Sequence, residues 1–321
     1  MTLASGVLVA RLLGAEGRGL VAALAVAPTI VLALCELGIM HSAACHLGRK
    51  TFERERIIAA LSGIGIVTIV LACAACGAYY AATWLPAYSW PLALLAIAAV
   101  PAQVIRSYAS GVFLGVQQIK SFNRASWIGP ALRLVLIIAL AGGLAWGAYG
   151  VLAAAAIAGF AISGYALYLV GRIAPLRPRF EMEAWRALIG LGVSFAAALF
   201  IMTLLYKINI VLLQRLASLE EVGVYTVGSN LAEYIWQIPG AMTAVIFSRG
   251  ANAADPDAYT EKLLVLFRLT LATGLVGACA IAAVAPFLIP FVYGADFERS
   301  ATVLIAMLPG VTAFMVYKVL N

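Results

Sequence analysis

The chain has 321 residues, 64% hydrophobic and 11% charged, with a net charge of +7 and a mean hydropathy of +1.02. This composition excludes a water-soluble globular protein, because segments so apolar would not stay in water. It predicts an all-α polytopic membrane protein, since a helix of about 20 apolar residues crosses the hydrocarbon layer with its backbone hydrogen bonds made internally.

Ten apolar stretches of roughly membrane-spanning length follow one another along the chain, separated by short charged connections. The first is only part of a span, and the amino terminus lacks the basic region of a signal peptide. The longest connections, around 172–186 and 249–262, are long enough for a short surface helix at most, so we expect the function to reside in the spans. The predicted spans are 1–13, 20–45, 57–83, 91–116, 127–147, 150–171, 187–213, 223–248, 263–292 and 300–320.

Basic residues are concentrated in every second connection. With the loop after the second span placed in the cytoplasm, thirteen lysines and arginines lie on that side and four on the other. This asymmetry follows the positive-inside rule. It predicts a multi-pass protein whose cytoplasmic connections are 45–57, 116–127, 171–187 and 248–263.

Two segments of the chain repeat one another. RLLGAEGRGL at 11–20 matches RLASLEEVGV at 215–224 in four positions, and Pro101 and Pro309 give a second match at a similar offset. Because internal repeats are common in transporters, we predict two parallel bundles, over 1–186 and 187–321. The offset also predicts that the second bundle is incomplete, and that the chain is shortened at both ends relative to two halves of six spans.

Apart from Arg11 and Arg268, which are counted with the neighbouring connections, six charged residues lie within the predicted spans, where an unpaired charge is costly and marks a functional site. They are Glu36, Glu233, Arg106, Arg133, Lys207 and Lys318. Arg133, Lys207 and Lys318 are near enough to a helix end to extend to the headgroups. Arg106 is about ten residues from the inner end, some 15 Å deep, so we predict that it lines a water-filled cavity.

The signs of these charges separate two kinds of substrate. An exporter of cationic drugs needs an acidic cavity, whereas four basic groups against two acidic ones favour an anionic substrate. Pyrophosphate suits them, because guanidinium groups bind phosphate oxygens in bidentate fashion. The two glutamates either pair with these cations or bind a coupling proton or sodium ion.

The cysteines and histidines do not predict a metal site. Cys73 and Cys76 form a C-x-x-C, but they lie in the apolar run LACAACGAYY, where packing is the expected role. His41 and His46 are five residues apart, a poor spacing for one helical face. No G-x-x-x-x-G-K-[ST] loop is present, so we expect no nucleotide and no cofactor.

Several motifs resemble those of the polysaccharide flippases, which export O-antigen and exopolysaccharide units. The similar segments are ARLLGAEGRG at 10–19, ELGI at 36–39, the long inner loop at 172–186, VGVYTVGSNLAEYIWQIPGAM at 222–242 and FVYGADFERSATVLIAMLPG at 291–310. The superfamily also contains multidrug-and-toxin extruders and the lipid II flippase. The resemblance implies a V-shaped MATE-like fold of two six-helix bundles, of which this chain would hold one and part of the other.

The same resemblance implies a location in the bacterial inner membrane and a function. Such proteins move oligosaccharides linked to undecaprenyl pyrophosphate to the outer leaflet for lipopolysaccharide or exopolysaccharide synthesis, by alternating access. It makes Arg106, Lys207 and Arg11 the positions to test as substrate ligands, with Arg133 as a further candidate and Glu36 and Glu233 as coupling sites. Its implied partners are the lipid-linked oligosaccharide, membrane lipids, and the polysaccharide polymerase and chain-length machinery, and not nucleic acid.

Two alternatives stay open at this point. One is a cation- or proton-coupled multidrug exporter with the same fold. The other is a membrane-embedded polysaccharide polymerase or glycosyltransferase. An enzyme of that kind needs a large outer loop or paired outer acids, and Glu220–Glu221 is the only adjacent outer pair. We therefore expect a transporter and not an enzyme.

Overall fold

A computed structural model describes residues 2–83, 89–250 and 256–320. The described chain is helical, as expected for apolar segments that must satisfy their own backbone groups in lipid. The helices are α1 Thr2–Cys35, α2 Ile39–Arg49, α3 Arg54–Ala82, α4 Trp90–Gly115, α5 Ile119–Ile137, α6 Gly147–Gly171, α7 Met182–Leu216, α8 Leu219–Gly250, α9 Pro256–Tyr293 and α10 Glu298–Leu320. A π-helical segment, Ile138–Gly143, continues α5, and a 3₁₀ turn, Ala295–Phe297, precedes α10.

The first two predicted spans are divided differently in the structure. The predicted outer loop at 14–19 is absent from the described chain, and the helical conformation is interrupted at Gly14 alone, with φ 66° and ψ −172°. The predicted span 20–45 was wrong as a continuous helix, because α1 ends at Cys35 and α2 begins at Ile39. The physical reason is the backbone at Leu37 (φ 46°) and Gly38 (φ 62°), two consecutive left-handed residues that no α-helix can contain.

Several helices extend beyond the predicted apolar segments. α5 begins at Ile119 and not at 127, so Lys120 and Arg124 lie on a helix and not in a loop. α7 begins at Met182, which shortens the connection after α6 to 172–181. Three basic residues of the predicted connections and spans, Arg249, Lys262 and Lys318, have side chains outside the described part of the chain.

Seven segments of the described chain are long and apolar enough to cross a membrane. They are Leu3–Cys35, Arg54–Ala82, Trp90–Gly115, Ile119–Gly143, Gly147–Gly171, Met182–Leu216 and Leu271–Tyr293. The predicted spans 223–248 and 300–320 fall in α8 and α10, whose described side chains cover only part of each helix. The multi-pass helical architecture is therefore confirmed.

The chain forms two compact units, Met1–Leu219 and Glu220–Asn321. In the first unit α4 lies at the centre and packs against α2, α3 and α6. Hydrogen bonds across these contacts satisfy polar groups away from water: Ser163 Oγ donates to Ala102 O at 2.6 Å, and the Thr68 and Tyr108 hydroxyls are 3.0 Å apart. The C-x-x-C residue Cys76 is fully buried in this core.

The short helix α2 packs against α4 through two glycines. A Cβ on Gly111 would lie 2.5 Å from Met40 O, and one on Gly115 would lie 2.6 Å from Leu47 Cβ. The two glycines are four residues apart, so they form a G-x-x-x-G stripe along one face of α4. The absence of side chains there lets the two backbones approach closely and fixes α2 on α4.

The second unit contains most of α8 together with α9 and α10. Ser300 Oγ donates to Val224 O at 2.8 Å, and a Cβ on Gly228 would lie 2.9 Å from Ser300 O. Phe297, in the 3₁₀ turn before α10, is fully buried. The start of α10 is thus fixed against the start of α8 by buried contacts.

The repeat in the sequence predicts a boundary after residue 186, whereas the compact units divide after Leu219. The difference lies in α7, which packs against α1, α2 and α3 and so belongs to the first compact unit. Compactness and internal repetition are different properties, so the division into 1–186 and 187–321 stays a prediction.

Candidate functional site

The break between α1 and α2 forms a three-residue turn, 36–38, inside the first unit. Glu36 N donates to Leu32 O at 2.8 Å and Ile39 N to Glu36 O at 2.9 Å, so the turn retains local hydrogen bonds. Gly38 and Ile39 are buried, whereas Glu36 is half-buried. The turn therefore holds a carboxylate at an interrupted point of an otherwise apolar segment.

Helix α7 covers this turn on one side. A Cβ on Gly38 would lie 2.5 Å from Gly192 O and 2.9 Å from Phe195 Cβ. The His41 ring is 5.6 Å from the ring of Phe195, and His46 Nε2 is 3.3 Å from Ala187 O. The two histidines that the sequence singled out thus pack against α7, and the close approach explains why position 38 requires glycine.

Helix α4 places two polar side chains beside the turn. Ser107 Oγ donates to Glu36 Oε2 at 3.1 Å. The neighbouring Arg106 guanidinium lies close enough to interact electrostatically with the same carboxylate. We call Glu36, Arg106 and Ser107 the turn cluster. The sequence had singled out Glu36 and Arg106 separately, and the structure brings them together.

Arg106 lies far from the end of α4. Arg106 is nine residues before the end of α4 at Gly115, which is about 14 Å at 1.5 Å per residue. Its side chain is nevertheless exposed. An exposed guanidinium that also interacts with a half-buried carboxylate retains donors for a further anion, because it offers five N–H groups in a planar fork.

Arg133 is a second cation in the interior of the first unit. It lies on α5, which packs mainly against α6, and its side chain is half-buried. Its Nε atom is buried and has no hydrogen-bond partner among the described residues. A buried donor of this kind is costly unless water or an anion satisfies it, so Arg133 stays a candidate ligand.

The other predicted site residues lie elsewhere. Arg11 is exposed on α1, three residues before the break at Gly14. Lys207 is half-buried on α7, and Glu233 is half-buried on α8 in the second unit. Their roles as ligands or coupling sites stay predictions.

An ion-pair network that the sequence analysis missed connects the start of α3 with the start of α7. Arg56 Nε is 2.6 Å from Glu181 Oε2, and Arg56 Nη2 is 3.2 Å from Glu183 Oε2. The guanidinium also lies 5.5 Å from the centre of the Phe52 ring. No local sequence signal joins Arg56 to Glu181, because the two residues are 125 positions apart.

Comparisons with known proteins agree with this architecture. Residues 3–247 match the model of a family described as polysaccharide biosynthesis protein. The chain is similar to an inward-facing multidrug resistance MATE family transporter of the MOP superfamily, with a TM-score of 0.66 and 17% identity over 98% of this chain and 77% of that one. No curated protein sequence matches significantly.

Two further solved structures show the same likeness. One is a MOP superfamily transporter from Pyrococcus furiosus Vc1 (DSM3638), for which reverse polarity of the binding pocket suggests a different function. Its TM-score is 0.65, with 17% identity over 98% of this chain and 75% of that one. The other is a eukaryotic MATE transporter, with a TM-score of 0.57 and 13% identity over 98% and 79% of the two chains. These similarities show that the chain has the MATE fold.

Proposed function

The chain belongs to the polysaccharide biosynthesis protein family, and from that premise we propose that it translocates oligosaccharides linked to polyprenyl pyrophosphate across the membrane. The observation that carries the proposal is Arg106, an exposed arginine about 14 Å from the end of its helix. Its guanidinium binds the pyrophosphate, since the planar fork of donors matches phosphate oxygens.

The charge of the site, and not the fold, is our argument for an anionic substrate. Proteins with this fold include multidrug transporters, and for the Pyrococcus furiosus transporter the polarity of the binding pocket suggests a different function. In this chain the cationic candidates are Arg106, Arg133, Lys207 and Arg11. The carboxylates of Glu36 and Glu233 are fewer, which suits an anion better than a cationic drug.

The turn cluster suggests how the substrate and a coupling ion communicate. Arg106 interacts electrostatically with the Glu36 carboxylate, which Ser107 also holds by a hydrogen bond. Pyrophosphate at Arg106 competes for the same guanidinium and weakens its interaction with Glu36. Glu36 then binds a proton or sodium ion more readily, so that ion binding at Glu36 is coupled to substrate binding at Arg106.

The decisive experiment measures flipping of a fluorescent polyprenyl-pyrophosphate oligosaccharide in proteoliposomes that contain the full chain. The readout is the fraction of label that an external quencher reaches with time. Removing a charge-assisted hydrogen-bonding group costs about 1.5–3 kcal/mol, so Arg106→Ala should slow flipping by about 10- to 150-fold. The flipping rate of Arg106→Lys should lie between those of Arg106→Ala and the unsubstituted chain, because lysine keeps the charge but not the planar fork of donors.

The matched control is Arg124→Ala, which removes an exposed arginine near the start of α5. It should flip the substrate at the rate of the unsubstituted chain, with the same amount of protein in the membrane. Equal rates for Arg106→Ala and Arg124→Ala would contradict the role of Arg106.

A multidrug exporter is the second candidate, favoured by the half-buried carboxylate of Glu36. It is tested in the same vesicles with a cationic dye in place of the lipid-linked sugar. We expect no dye transport above that of protein-free vesicles. Dye transport that depends on Glu36, without movement of the lipid-linked sugar, would favour the exporter instead.

A further inference from the structure

An apolar groove lies between α3, α4 and α6 in the first unit, next to the segment 172–181. Its volume is about 280 Å³. A methylene is similar in size to water, which takes about 30 Å³ in the liquid, so the groove has room for about nine methylenes. Ile66, which lines the groove, is 55% exposed, so the groove opens at the surface of the helices.

The lining favours a hydrocarbon chain over a polar ligand. Its two polar side chains are Ser62 and Tyr108. Ser62 Oγ donates to Ile58 O at 2.9 Å, and the Tyr108 hydroxyl is 3.0 Å from that of Thr68. Because both hydroxyls are already hydrogen-bonded within the protein, a polar ligand would lose its hydration in the groove without compensation.

The groove and the turn cluster lie on opposite faces of α4. Val104, Tyr108 and Val112 recur every four residues along the groove face. At 3.6 residues per turn, Arg106 and Ser107 each lie about 130° around the helix from the centre of the groove face, and Ser107 meets Glu36. An anion bound to Arg106 therefore has its tail on the wrong side of α4 to enter the groove, so the occupant is a separate molecule.

Exposed arginines are sequence neighbours of the lining residues at one end of the groove. Leu176 and Pro178 line it, and Arg177 between them is exposed, as are Arg172 and Arg179. A hydrogen bond connects the segment to α3, since Arg179 N donates to Ala59 O at 3.3 Å. An apolar groove that ends at exposed arginines complements an apolar chain attached to an anionic headgroup.

We propose that this groove binds one acyl chain of an anionic phospholipid, whose phosphate is held by the arginines of the segment 172–181. The occupant is a membrane phospholipid, and not the polyprenyl carrier, because the groove faces away from Arg106. The site is independent of the proposed transport function. Binding at the connection between α6 and α7 depends on the lipid composition of the adjacent leaflet.

The test uses the full chain in phosphatidylcholine vesicles with dibrominated phosphatidylglycerol as a minor component. Bromine on the acyl chain quenches tryptophan at short range. The reporters are Leu176→Trp and Ile66→Trp, both partly exposed and both in the groove. The control is Val70→Trp, which lies one helical turn beyond Ile66, is 61% exposed and does not line the groove. The six native tryptophans give a background that is measured on the unsubstituted chain.

We expect at least twofold stronger quenching of either reporter than of the control. Replacing Arg172, Arg177 and Arg179 together by glutamine should reduce it to the control level, whereas Arg124→Gln should leave it unchanged. Equal quenching at the reporters and at Val70→Trp would mean ordinary contact with bulk lipid and would overturn the proposal. If dibrominated phosphatidylcholine quenched the reporters as strongly as dibrominated phosphatidylglycerol, the role of the headgroup would be overturned. If an equal amount of unlabelled polyprenyl phosphate relieved the quenching, the groove would be assigned to the polyprenyl carrier.

Discussion

Replacing Gly38 by alanine adds a methyl group where the chain turns between α1 and α2. Gly38 has φ 62°, a left-handed conformation that costs a non-glycine residue about 1–2 kcal/mol. The new Cβ would also lie 2.5 Å from Gly192 O and 2.9 Å from Phe195 Cβ. Overpacking of this kind costs about 1–3 kcal/mol. The substitution should therefore lower the free energy of unfolding by about 2–5 kcal/mol.

The backbone and contact contributions can be separated. Asparagine tolerates the left-handed conformation better than alanine, but its Cβ meets the same two atoms. Gly38→Asn should thus recover part of the loss and not all of it. Gly164→Ala on α6 is the matched control, because a Cβ there meets nothing within 4 Å. In a helix interior that change should stabilise the chain by about 0.5–1 kcal/mol.

Denaturant titration of the purified full-length chain in detergent, followed by tryptophan fluorescence, measures all three variants. The expected order of stability is Gly164→Ala, then the unsubstituted chain, Gly38→Asn and Gly38→Ala. A Gly38→Ala variant as stable as Gly164→Ala would refute both the left-handed turn and the close approach of α7.

Four other substitutions test three contacts elsewhere in the chain. Arg56→Glu should lower stability, and Glu181→Arg in the same chain should restore part of the loss, with both effects shrinking at high salt because the pair is partly exposed. No rescue in the double variant would argue against the pair. Ser163→Ala removes the hydrogen bond to Ala102 O and should lower the free energy of unfolding by about 0.6 kcal/mol in the same denaturant titration. A loss of several kcal/mol would mean that the helices repack. Gly228→Ala places a Cβ 2.9 Å from backbone and side-chain atoms, which should lower the free energy of unfolding by about 1–3 kcal/mol. It should also speed proteolysis within the second unit. An unchanged rate of digestion there would contradict the close packing at Gly228.

The helical class and most of the helix positions were predictable from the sequence, for a physical reason. Lipid admits only segments that satisfy their own backbone groups, so a long apolar run has essentially one conformation available. Hydropathy measures the part of a helix in hydrocarbon and not its whole length. That is why α5 begins at Ile119, through Lys120 and Arg124, and not at the first long apolar run.

The turn at 36–38 could not be found from hydropathy, because Leu37 and Gly38 are apolar and fit either conformation. The only local signal was Gly38 itself, which permits a left-handed backbone without requiring one. Its necessity comes from α7, which contacts it from more than 150 positions away along the chain. The same is true of the turn cluster, since Ser107 and Glu36 are 71 residues apart and meet only once α2 is packed on α4.

The G-x-x-x-G contact between α4 and α2 determines which part of the chain a bend at the turn 36–38 would displace. α2 is fixed on one side by Gly111 and Gly115 and is packed on the other by α7. The helical residues 15–35 before the turn span about 30 Å, so a bend of about 20° would move their outer end by about 10 Å. Glu36 lies at the pivot, where a rotation produces almost no displacement. The Glu36 carboxylate would therefore keep Ser107 and Arg106 as neighbours during a bend that displaces residues 15–35.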